Sequence, residues 1–352
     1  MSDSTLQPFR LQPWFSPRPW GRRSLEPWYS AAQLGTTEPI GEAWLTGPQC
    51  IVETGPIAGQ TLASAARSHT AQLLGAENSA ALASPEHPEF PLLVKLLFPA
   101  EKLSVQVHPD DAHAQAMGQP RGKTECWYVI DAEPGAQIAL GFKPALGFNP
   151  ALTPGQIAPD AIRAAIAAGT LEDLLNWVPV FPGDMVFVDA GTVHAIGPGM
   201  VLLETQQTSD TTFRMYDYGR PRELHIDQAL RVMRTSTAAG KVAPQKIWGA
   251  PPTRSLGGNE TPPSTACEFT RLIQQRYFTV DRYDLGANQQ VTIPADKVGC
   301  LVPLSGSGAV QSTADSVSVG LVAGHAIVLP VSAHGMQVTA ASPITVIHCW
   351  AP

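Results

Sequence analysis

Short apolar runs, each closed by glycine or proline, recur through most of this chain, and that rhythm limits what it can fold into. FPLLVKLLF, KLSVQVH, CWYVI and QIALGF follow one another between residues 90 and 142, and DMVFVDA, MVLLETQQ and TTFRMYDY carry the series to residue 218. A second block, YFTVDRYDL, QQVTIP, GCLVPLSG, HAIVLP and ITVIHCW, ends at residue 350. The runs are too short for helices and rich in β-branched and aromatic residues, so they read as strands of sandwiches or barrels.

Helical patterns interrupt the first block. An Ala/Leu-rich stretch from Thr61 to Ala83 is stopped by Pro85 and Pro88, and residues 160–177 place Ile162, Ile166, Leu171, Leu174 and Leu175 at near-helical spacing. IDQALRVM adds a shorter helix, and the Pro- and Trp-rich first fifty residues read as extended edge or wrapping segments. Residues 235–265 are crowded with Ser, Thr, Gly and Pro and mark a domain boundary. The expected fold is mainly β: two β-barrel or sandwich (jelly-roll) domains, 1–235 with helical insertions and a smaller one at 236–352.

The 352 residues carry a net charge of −7, which argues against a nucleic-acid binder, whose affinity rests on Lys and Arg facing phosphates. A local basic pocket for a small anion is still compatible with that sum. The five cysteines are scattered without a CxxC pair, which fits reduced thiols in cytoplasm. The first residues lack the apolar core of a secretory signal, and no apolar run is long enough to span a bilayer. A soluble cytoplasmic protein is expected.

Three segments carry chemistry. In LSVQVH, alternation puts Leu103, Val105 and Val107 on one face and Ser104, Gln106 and His108 on the other, a core face beside a pocket face. In GKTECWYVI, Glu125 shares a face with Trp127, and burying a carboxylate there is costly unless a cation pairs with it. In GDMVFVDAGTVHAIGPG, five residues separate Gly183 from Asp189, one separates Asp189 from Gly191, and two separate Gly191 from His194. Glycines at both ends allow tight turns that deliver His194 to a barrel mouth. GQPRGKT is no phosphate loop, because three residues rather than four lie between Gly118 and Gly122.

The last segment resembles the second cupin motif, with Asp189 in place of a proline. The first cupin motif is less faithful: Gln106 stands where His is usual, and Glu125 lies far from His108. Those departures resemble one family, the type I mannose-6-phosphate isomerases of the short bacterial form. FPLLVKLL, LSVQVHPDD, GKTECWY, GTVHAIGPG and LLETQQTSDTTFRMYDYGR carry the likeness over residues 90–235, and PWG at 19–21 and GEAW at 41–44 extend it weakly.

The resemblance implies two cupin-type domains and one divalent metal ion, zinc in the family, held by Gln106, His108, Glu125 and His194. An amide, a carboxylate and two imidazoles suit a divalent cation without thiolate. It also implies substrate contacts from Lys95, Ser104 and Lys123 and a catalytic Arg214, with Arg220 in reserve; Lys95 sits inside an apolar run and needs a polar reason to be there. The implied reaction is reversible conversion of mannose 6-phosphate to fructose 6-phosphate through a metal-stabilised cis-enediol. Glu204 and Asp210 are both candidates to carry the proton. The partner is a small sugar phosphate, with no nucleic acid and no membrane, for a monomer or homodimer.

In the second domain, Gly324 and Pro330 echo the second cupin motif but His334 falls one position short, and LSGSG supplies no ligands. A degenerate, metal-free cupin is expected there, with His325, His334 and His348 structural. Two rivals to the isomerase are a non-catalytic sugar-phosphate sensor and a metal cupin of another class, such as an iron dioxygenase with a histidine-rich site.

Overall fold

The computed structural model describes residues 5–75, 88–143, 157–234, 236–248, 268–294, 296–313, 317–333 and 335–352. The chain is mainly β, and its described strands pair antiparallel into several sheets. It divides into two compact units that interleave in sequence: Met1–Trp14, Ala43–Lys95 and Ala243–Pro352 form one, and Phe15–Glu42 with Leu96–Val242 form the other. The last crossing, at Val242, falls close to the compositional boundary.

The first unit holds an eight-stranded and a four-stranded sheet. Thr279–Leu285, Ile344–Trp350 and Gly299–Ser305 are neighbours in the larger sheet; Gln290–Ile293, Met336–Ala340 and Gly308–Ser312 are neighbours in the smaller. Tyr283, Leu301, Ile327 and Val346 of one sheet share a core with Val291, Val310, Met336 and Val338 of the other. Alternating residues of each strand thus fill a sandwich interior, as strand geometry requires. His325 and His348 are buried here; His334 lies outside the described residues.

The helix expected over Thr61–Ala83 is present as two short helices, Leu62–Ser68 and Thr70–Leu74, and residues 76–83 lie outside the described residues. Thr61 caps the first by accepting from Ser64 N–H at 3.1 Å. The first fifty residues form the strands Phe9–Gln12, Trp14–Arg22 and Ile40–Trp44, and also a four-residue helix, Ala31–Leu34, that the sequence reading did not foresee. Its Ser30 and Gln33 make a reciprocal capping box.

In the second unit, Gly240–Val242, Met185–Val188, Glu125–Ala132 and Met200–Gln207 lie side by side in one sheet. A five-stranded sheet runs Phe213–Tyr216, Val105–Val107, His194–Ile196, Gln137–Phe142, Leu175–Pro179. The expected helix over 160–177 is corrected here: it spans Pro159–Ala168 and ends at Gly169, whose φ of +74° is the left-handed C-terminal cap. A 3-10 turn follows over Leu171–Leu174, and Leu175 already begins a strand.

The two faces of the five-stranded sheet divide cleanly. Val105, Val107, Ala195, Phe213 and Met215 pack with Ile162, Ile166, Ala229 and Val232 of the helices Pro159–Ala168 and Ile226–Val232. Ile138, Leu140 and Ile196 pack the other way, with Trp127, Val129, Val186, Val188 and Leu202 of the facing sheet. Side chains two residues along from that inner set therefore point into the same interior, and those are the residues of the site.

Candidate metal centre

His194 opens its strand directly opposite Gln106 on one side and Leu140 on the other. Gln106 also pairs with Arg214. In the facing sheet, Trp127 stands opposite Glu204, and Glu125 opposite Gln206. Opposed residues of an antiparallel pair share a face, so these polar groups line one end of an interior whose remainder is aliphatic.

His108, Glu125 and His194 are each 1% exposed, and one ligand atom from each lies within 4.8 Å of the others. Glu125 Oε2 is 3.5 Å from His108 Nε2, and Oε1 is 3.3 Å from His194 Nε2. Both rings are turned by backbone carbonyls: His108 Nδ1 donates to Thr211 O at 3.0 Å and His194 Nδ1 to Thr192 O at 2.9 Å. A donor at Nδ1 leaves a bare lone pair at Nε2.

Burial, then the charge of Lys123, pushes His108 down to about 3, and burial lowers His194 as well. Burial pushes the Glu125 carboxyl up, but Lys123, His108 and His194 outweigh it and hold the group well below the usual carboxylate range. At neutral pH two unprotonated imidazoles and a carboxylate thus converge, so the His–Glu approaches are acceptor against acceptor rather than ion pairs. Among the described residues, His108 Nε2 and Glu125 Oε1 have no hydrogen-bond partner. A buried set of converging lone pairs fits a cation.

Lys123 is 4% exposed and places Nζ 3.2 Å from Glu125 Oε2. Ser104 Oγ donates to Gln106 Oε1 at 3.3 Å, while Gln106 Nε2 sits 3.2 Å from His194 Nε2. Which end of an amide faces inward is settled by its bonding, and turning this one would present oxygen to the cluster while Ser104 accepts instead of donating. Lys95 is 2% exposed, its Nζ 4.7 Å over the Trp44 ring; both belong to the first unit.

Glu204 is buried and accepts from Trp127 Nε1 at 3.0 Å, whereas Asp210 is exposed. Arg214 is half-buried, with Nη1 on Glu223 O at 2.8 Å and Nε buried without a partner among the described residues. Burial, then Arg222, lowers its guanidinium, with Arg18 and Arg220 adding to the effect and Asp217 opposing it. Arg220 is committed elsewhere, to Asp217 Oδ1 and Lys102 O. Sequence reasoning passed over Gln206 and the indole of Trp127; the alternation in ETQQ, which puts Gln206 on the face of Glu204, was the available signal.

Fold and cluster together define a cupin-fold protein with a His–Glu–His group able to hold a metal ion. Residues 9–150 match the family described as phosphomannose isomerase type I, catalytic domain. The mannose-6-phosphate isomerase ManA of Bacillus subtilis is 37% identical over 243 residues, which cover 65% of this chain and 69% of that protein. The mannose-6-phosphate isomerase of Streptococcus mutans is 38% identical over 229 residues; the match takes in 63% of this chain and 64% of that protein's length. A crystal structure of mannose 6-phosphate isomerase from B. subtilis superposes with a TM-score of 0.77 at 27% identity, over 98% of this chain and 99% of the other. The chain belongs to the type I phosphomannose isomerase family.

Proposed function

We propose that this protein interconverts mannose 6-phosphate and fructose 6-phosphate, and that His108, Glu125, His194 and Gln106 hold a divalent cation, zinc, for that reaction. The observation that carries this reading is the convergence of the Nε2 atoms of His108 and His194 on the buried Glu125 carboxylate at the polar end of the interior. When bound, the cation supplies Lewis-acid stabilisation of charge on the sugar oxygens at C1 and C2.

The chain's own groups do the rest. Glu204 takes the proton from C2 and returns it to C1, while the hydroxyl proton passes from O2 to O1; a cis-enediol lies between aldose and ketose. The indole of Trp127 aims the carboxylate. Asp210, being exposed, is the weaker candidate for this task. Arg214, with Lys123 and Ser104, binds and orients the anionic open-chain sugar, which converts part of the barrier into binding. Arg214 Nε has no partner among the described residues, whereas Arg220 is already engaged. The 1–235 domain carries this chemistry, and 236–352 is a metal-free cupin. The working form is a cytoplasmic monomer or homodimer; among the described residues no helix is long and apolar enough to cross a membrane.

The test is a coupled isomerase assay before and after chelation, with metal analysis of each sample. Activity lost with the metal and restored by adding zinc supports the reading. Metal-stripped protein that turns over mannose 6-phosphate at the original rate defeats it.

A further inference from the structure

Gln206 occupies a position that the site's other residues do not explain. It is fully buried at 0% exposure and stands directly opposite Glu125 in the strand pairing, so both side chains enter the same interior. Its amide is fixed from one side only: Nε2 donates to the carbonyls of Gln207 and Ser209. That leaves Oε1 on the opposite edge, buried, with no donor from the described residues.

An unmet buried acceptor costs free energy comparable to a lost hydrogen bond, and it marks a place where a donor arrives with something else. Here the neighbours narrow the donor. Glu125 and Glu204, the residues beside Gln206 on this face, offer acceptors, and the two imidazoles turn bare nitrogens inward. A neutral hydroxyl suits such surroundings: it gives its hydrogen to the amide oxygen and adds no charge to a cluster already balanced around Lys123 and a cation. An open-chain sugar phosphate carries several.

We infer that Gln206 is a substrate-binding residue whose Oε1 accepts a hydrogen bond from a non-reacting hydroxyl of the sugar, and so helps select polyhydroxy aldose phosphates. The inference rests on the isomerase reading above. Because the amide cannot turn without giving up two carbonyl contacts, its acceptor end is locked inward. Substrates lacking the matching hydroxyl leave it unsatisfied, which is how polar sites reject close analogues.

The experiment compares mannose 6-phosphate with its 3-deoxy, 4-deoxy and 5-deoxy analogues on wild-type enzyme and on Gln206→Met, which keeps the length of the side chain but removes the amide. Selectivity is taken as the ratio of kcat/KM values within each protein, so a smaller folded fraction in the variant cancels. The expected result is a threefold to tenfold lower kcat/KM (roughly one neutral hydrogen bond) for the natural substrate, mostly in KM, with metal content unchanged. The same substitution should have no effect on one of the three analogues. A second variant, Gln206→Asn, keeps the amide but draws its oxygen back by one methylene, and should show the same loss of discrimination with metal content unchanged. Equal losses on all four substrates for Gln206→Met, or loss of metal, would overturn the assignment in favour of a purely structural role. Absence of turnover in the wild type would instead strike the isomerase reading itself.

Discussion

The indole N–H of Trp127 is aimed at Glu204, its Nε1 3.0 Å from Oε1, across two strands in which the residues stand directly opposite. The same ring packs edge-on against His194, with 5.5 Å between ring centres. One buried tryptophan therefore sets both a carboxylate and an imidazole of the site. Trp127→Phe would retain most of the packing and remove the donor. Hydrogen bonds to charged groups are worth about 1.5–3 kcal/mol, so kcat should fall by roughly tenfold or more. KM and metal content should stay within about twofold. If kcat is unchanged while unfolding shows the variant less stable, Trp127 is core only and does not position Glu204.

Arg214 and Arg220 separate in the structure although they lie six residues apart in sequence. Arg214 is on the inner-face register with Gln106; Arg220 bonds Asp217 and Lys102. Arg214→Ala should reduce kcat/KM by about a hundredfold or more, the scale of losing a preorganised charge-stabilising donor, with metal still bound. Arg214→Lys should recover little, because an ammonium cannot replace a planar fork of donors. Arg220→Ala should lower thermal stability more than turnover. The opposite ranking in steady-state kinetics would transfer the catalytic role to Arg220.

His194→Ala tests the centre itself. If His194 is a direct ligand, its loss should weaken metal binding by more than the roughly 10–100-fold seen when only a ligand's supporting partner is lost. Metal analysis after dialysis should find the variant essentially metal-free, with its far-ultraviolet circular dichroism preserved and its isomerase activity gone. A variant that keeps stoichiometric metal would show that the three-residue cluster is not where it binds.

Much of this site was readable because strands alternate. Period two puts Ser104, Gln106 and His108 on one face, and the glycine spacing around Asp189 brings His194 to a strand start. What alternation could not give was pairing. Nothing local says that Glu125 faces Gln206 or that Trp127 faces Glu204, since cross-strand register is a long-range property. The helix reading of 160–177 failed for a related reason. Leu174 and Leu175 continue the apolar spacing, yet Gly169 adopts positive φ and the chain turns back into the sheet. Nor could alternation say that Glu204 is buried and Asp210 exposed.

His348 gives the pH prediction, and it concerns the first unit rather than the metal centre. Its ring is 3% exposed, and neither nitrogen has a hydrogen-bond partner among the described residues. Burial pushes it down to about 4; Asp281 and Asp296 pull it up and Arg271 pushes it further down. An unfolded histidine titrates near 6.5, so between pH 6.5 and 4 the unfolded chain binds more protons than the folded one. Stability from this group is therefore complete above about pH 6.5 and is lost as pH falls toward 4. The two pKa values imply a loss of about 2 kcal/mol between pH 7 and pH 5. Urea unfolding of metal-loaded protein at both pH values measures it, with His348→Gln as the reference because an amide does not titrate. The wild type should lose about 2 kcal/mol more than the variant over that interval. Equal losses would mean that the buried ring is protonated in the folded protein, with a neighbouring carboxylate as its counter-ion.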